Sequence, residues 1–112
     1  MRNMSFSKTT AQMYARKKWV TRRYGWWFLE VGDRVQAVEK AMGLKKGEKV
    51  KRICIIEVTN HYRDNLKCLT QQECILEGFP EKSPDELRKL LFSMCPKDHW
   101  PNTPNRIEFK YV

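Results

Sequence analysis

The sequence predicts a single α+β domain, and three observations lead there. The run Val50 to Thr59 is a β-branched, apolar stretch with residues for both faces of a strand, Ile53 and Ile55 on one and Cys54, Ile56 and Val58 on the other. Such a strand is either covered on both sides or rolled into a barrel. Two short helices announce themselves by their caps, at Thr70-Gln71-Gln72-Glu73 and Ser83-Pro84-Asp85-Glu86. The chain closes on Arg106 to Val112, where Ile107, Phe109 and Tyr111 alternate with Glu108 and Lys110 as in a strand with one buried face.

Taken in order, Met4-Ser5-Phe6 starts a short strand. A helix follows with Thr9 as cap and Gln12 reaching back, running to about Lys18. Its last turn then carries Arg16, Lys17 and Lys18, which gives those charges a structural account: each complements the helix dipole by roughly 0.3–1 kcal/mol. Val20 to Tyr24 is a strand, broken by Gly25 before Trp26, Trp27 and Phe28. Val31-Gly32-Asp33 is a turn into a strand with Val35 and Ala37 on one side and Gln36 and Val38 on the other. A charged loop, Leu44 to Lys49, leads into Val50 to Thr59, and Asn60 to Lys67 is a polar connection.

The helix capped at Thr70 ends at Glu77, because Gly78 is a natural stop. A glutamate at a helix C-terminus opposes the dipole, which points to another job for Glu77. In the helix from Ser83, Leu87, Leu90, Leu91 and Met94 form one apolar core stripe, and Pro96 ends it.

Composition narrows the function. The 112 residues suit one core. No apolar run approaches the roughly 18 residues of a membrane helix, and the first residues lack a secretory h-region, so a cytoplasmic protein with no membrane partner is expected. The four cysteines, Cys54, Cys68, Cys74 and Cys95, have neither the mutual spacing nor the histidines of a zinc site, and no metal or cofactor is expected. Twenty-two Lys and Arg against 13 Asp and Glu give a net charge of +9, which biases the chain towards polyanions.

Arg16 to Arg23 concentrates that charge, with five cations, one hydroxyl and one indole in eight residues. Strand alternation puts Thr21 and Arg23 on one face, and Lys18 joins them only if the backbone turns before Trp19. Trp19, Tyr24, Trp26, Trp27 and Phe28 interleave with Arg22 and Arg23, a pattern on which unpaired bases stack.

Three pieces together resemble the ASCH domain, a compact β-barrel family of the PUA-like superfamily: Arg16 to Arg23 against the family's G-x-K-x-x-E-x-R, then Glu77-Gly78-Phe79-Pro80, then Arg106 to Lys110. Gly32-Asp33 matches the usual turn before the second barrel strand. Arg16 stands where glycine is usual, and Thr21 where many members carry glutamate. The resemblance implies a small mixed β-barrel with two to three short flanking helices. Threonine at that place is similar to the N4-acetylcytidine amidohydrolase branch and to phage and prophage members.

That branch implies Lys18, Thr21 and Glu77 as catalytic residues. Thr21 is then a nucleophile, Lys18 a base with a lowered pKa, and Glu77 its orienter or an acid. Arg22 and Arg23 would hold an oxyanion or phosphate, and Trp19, Trp26 and Trp100 the base. The implied partner is a modified nucleoside or RNA; the alternative is a non-catalytic RNA-binding module.

Overall fold

A computed structural model describes residues 1–96 and 103–112 of the chain, so Trp100 lies outside the described residues. Five strands, β1 (Asn3–Ser5), β2 (Val20–Arg23), β3 (Arg34–Val38), β4 (Arg52–Arg63) and β5 (Asn105–Tyr111), form one sheet in the order β1-β3-β4-β5-β2. β1 is parallel to β3, and the other neighbours are antiparallel. Three helices flank it: α1 (Thr10–Tyr14), α2 (Gln71–Glu77) and α3 (Pro84–Ser93). The sheet curls into a half barrel with β1 and β2 as its edges, and Arg23 Nη2 donates to the Ser5 carbonyl at 2.5 Å across the gap.

The barrel core takes Met4 of β1 and Phe6 just beyond it, Val35 and Ala37 of β3, Ile56 and Val58 of β4, and Ile107 and Phe109 of β5, closed by Met13 and Leu29. A second apolar cluster, Leu66, Leu69, Cys74, Phe79, Leu87 and Leu91, fixes α2 and α3 together. α3 forms as its caps dictate, with Ser83 N donating to Glu86 Oε1 at 3.0 Å and Glu86 N to Ser83 Oγ at 3.2 Å. Its stripe divides: Leu87 and Leu91 are buried, whereas Met94, expected in the core, is 40% exposed past the helix end.

Three local expectations are corrected. α1 stops at Tyr14 and not near Lys18, so no cation stands in its last turn and the dipole account of Arg16, Lys17 and Lys18 lapses. Gln12 donates to the Gly78 carbonyl at 2.9 Å instead of reaching back to Thr9, and the chain turns at Arg16, whose φ is 55°. Arginine thus adopts a conformation that glycine usually supplies. It costs on the order of 1–2 kcal/mol and is offset in part by stacking of its guanidinium 5.3 Å from the Tyr111 ring.

β4 runs on to Arg63, past the expected end at Thr59. Asn60, His61, Tyr62 and Arg63 pair with Glu108, Ile107, Arg106 and Asn105 after an irregularity between Val58 and Asn60. Their polarity hid a strand whose pairing comes from β5. Thr70 accepts from Glu73 N at 3.3 Å, but the Glu73 carboxylate turns to Arg22 and Arg106, so only half of the expected box forms.

Candidate functional site

The turn at Arg16 sets Lys18 against the C-terminus of α2. Trp19 N donates to the Leu76 carbonyl at 2.8 Å, and Tyr111 Oη donates to the Lys18 carbonyl at 2.5 Å, fixing the backbone on both sides. Lys18 Nζ lies 3.0 Å from Glu77 Oε2 and also donates to the Glu77 carbonyl. Gly78 permits this approach through its backbone: its φ of 94° ends α2 in a conformation that other residues resist, whereas a Cβ there would make only ordinary contact with Gln12 and Lys18.

Lys18, Thr21 and Glu77 are 2%, 2% and 4% exposed, and all three line one cavity of about 330 Å³. No hydrogen bond joins Lys18 to Thr21 among the described residues. Thr21 Oγ1 instead accepts from Arg23 Nε at 3.0 Å, the partner that strand alternation puts beside it. Burial pushes the Lys18 pKa below its ordinary value, Arg23 and Arg22 push the same way, and Glu77 opposes them. Two of the amine's hydrogen positions are held by Glu77. The remaining tetrahedral position is a proton in the ammonium form and a lone pair in the amine. Burial also lowers Arg23, to about 10, which leaves it a cation at neutral pH.

Arg22 points to the opposite face of β2. There Nε meets Asp64 at 2.5 Å, Nη1 meets Glu77 at 2.9 Å and Nη2 meets Glu73 at 2.5 Å, while its backbone N donates to Glu77 Oε2 at 3.1 Å. Despite the burial of the guanidinium, those carboxylates hold its pKa up. Arg106 shares Glu73, at 2.6 and 3.0 Å. Arg22, expected on substrate, is among the residues that line the cavity, but each of its guanidinium nitrogens already faces a carboxylate, Glu77 among them.

Of the expected aromatic residues, Trp26 lines the cavity. Trp19 does not: it is 45% exposed and packs edge-on to Tyr111 with ring centroids 5.2 Å apart. Tyr24, Phe79, Leu90 and Met94 also form the wall, with the segment Ser5 to Thr9 opposite. Of these, Tyr24 belongs to the aromatic set that the sequence interleaves with Arg22 and Arg23, and the others carry no such signal. The Gly78-Phe79 pair and the α3 stripe were visible in the sequence, but a stripe does not say which of its members faces a void. Asp64 and Glu73 carried no sequence signal as partners of Arg22. Among the described residues no three His, Cys, Asp or Glu side chains are grouped so as to hold a metal ion.

No family model matches the sequence, and no curated protein matches it significantly. Among solved structures, the chain is similar to the crystal structure of an ASCH domain from Lactobacillus crispatus, with a TM-score of 0.63 and 14% identity over 98% of this chain and 79% of that one. A curled mixed sheet, three short helices and a cleft between β2 and α2 accompany that likeness. The chain has the fold of an ASCH domain.

Proposed function

We propose that the cavity binds a nucleobase and that Thr21, Lys18 and Glu77 hydrolyse the amide of an N4-acylated cytidine. One observation carries this: a buried lysine paired with Glu77 shares a cavity wall with a threonine whose hydroxyl accepts from Arg23. The cavity lies at the small end of the roughly 300–1,000 Å³ of ligand pockets, a size for one nucleoside. Trp26, Tyr24 and Phe79 give it aromatic walls.

The amine of Lys18 takes the Thr21 proton, directly or through one water. Thr21 Oγ1 bonds to the acyl carbon, and the carbonyl pair becomes an oxyanion beside Arg23. Collapse breaks the bond to N4, and the ammonium of Lys18 returns its proton to the departing amine, releasing cytidine. A water deprotonated by Lys18 then attacks the threonyl ester, freeing the carboxylic acid and restoring the Thr21 hydroxyl. Glu77 orients Lys18 throughout. The lowered pKa of Lys18 increases the fraction present as the amine.

Chromatography of cytidine released from N4-acetylcytidine tests the proposal. Turnover is expected to be abolished by Thr21→Ala and Lys18→Ala and retained in part by Thr21→Ser. The rate kcat/KM should rise with pH through the Lys18 ionisation, below the ordinary 10.5. Unchanged turnover in Thr21→Ala refutes the mechanism. The net charge of +9 favours a second reading, a non-catalytic RNA-binding module whose cavity holds an unpaired base. No turnover, with salt-sensitive RNA binding that survives Thr21→Ala, would select it.

A further inference from the structure

We infer that Trp27 and Phe28, with Arg63 and Arg2, form a platform for nucleotides flanking the one in the cavity, so that the full ligand is a single strand of nucleic acid, of which a free nucleoside is the part the cavity holds. This rests on the cavity binding a base. Trp26, in the cavity wall, is 5.5 Å from Phe28 between ring centroids, and Phe28 is 53% exposed. Trp27, 46% exposed, lies stacked on His61 at 6.1 Å with an interplanar angle of 14°. Trp26 and Phe28 thus carry an aromatic surface from the cavity to the outside, and Trp27, between them in the chain, exposes a second ring.

The segment is turned outward by two successive left-handed residues, Gly25 at φ 79° and Trp26 at φ 63°. The second is an uncommon conformation for a bulky residue, and such conformations gather at ligand-binding segments. Each exposed ring carries an arginine, Arg2 at 4.4 Å over Phe28 and Arg63 at 5.3 Å over Trp27. Neither arginine forms an ion pair among the described residues, in contrast to Lys18 and Arg22, whose charges are already matched by carboxylates. Bases stack on aromatic rings and on guanidinium planes alike, and the same cations neutralise phosphates. A strand leaving the cavity therefore meets stacking faces and unpaired positive charge together.

Fluorescence anisotropy with a labelled, unmodified hexaribonucleotide of cytidine and uridine tests this, and does so whether or not acetylcytidine is turned over. The single strand should bind more tightly than a duplex of the same length. The double variant Trp27→Ala/Phe28→Ala should weaken binding on the order of tenfold to a hundredfold. Arg2→Gln/Arg63→Gln, which leaves the rings in place, should make the slope of log K against log salt shallower by about 1.4. Strand affinity unchanged in both variants, equal affinity for the duplex, or no strand binding would each overturn the platform. Loss of turnover in Thr21→Ala with Trp27-dependent strand binding intact separates the chemistry from the platform, and turnover of free nucleoside without strand binding separates them the other way.

Discussion

Replacing Glu77 by glutamine probes a buried cluster of charged contacts. The carboxylate accepts from Lys18 Nζ at 3.0 Å, Arg22 N at 3.1 Å and Arg22 Nη1 at 2.9 Å. Both cations are buried, at 2% and 4% exposure. Hydrogen bonds to a charged group contribute about 1.5–3 kcal/mol each, but glutamine keeps one acceptor oxygen, and Arg22 retains Asp64 and Glu73. The net loss is that of a buried pair with one partner removed, about 3–5 kcal/mol. Urea denaturation should report it as a lower midpoint at unchanged m. Heating should show Tm lower by on the order of 10–20 °C for a domain of this size. The double variant Lys18→Met/Glu77→Gln removes the stranded ammonium and should recover a substantial part of the loss, because replacing both members of a buried pair is close to neutral. A double variant no more stable than Glu77→Gln would refute the view that an uncompensated lysine causes the loss.

Two further outcomes follow from groups around the site. Hydrogen bonds from Arg106 and then Arg22 hold the Glu73 carboxyl below its ordinary 4.5, so its stabilising contribution is complete above that value and is lost as pH falls through the lower folded value. Stability should decline across that window, and acid titration of Glu73→Gln should lack that part of the decline. Asn105 is fully buried, and neither its Nδ2 nor its Oδ1 has a partner among the described residues. Asn105→Leu should therefore raise stability by about 1–3 kcal/mol, read from the urea midpoint, whereas a loss would mean that the amide holds a water or ligand in solution.

What the sequence determined by itself is what is encoded locally. The serine, proline and glutamate that start α3, the glycine that ends α2 and the alternation of β5 each act within a few residues, and each element formed where those signals put it. Alternation also separated Thr21 and Arg23 from Arg22, and the misplaced charge of Glu77 pointed to a partner. The tertiary structure alone decided what those faces meet. Arg22 finds Asp64, Glu73 and Glu77 from 42, 51 and 55 residues away, carboxylate partners that no local signal placed beside it. The outer half of β4 became a strand only because β5 lies beside it. The left-handed turn at Arg16 brought Lys18 onto the cavity, although nothing in arginine's own preferences selects that turn. Caps and periodicity are short-range terms and survive in the sequence. Burial, charge pairing and the wall of a cavity depend on which distant segments pack together, so they exist only once the chain has folded.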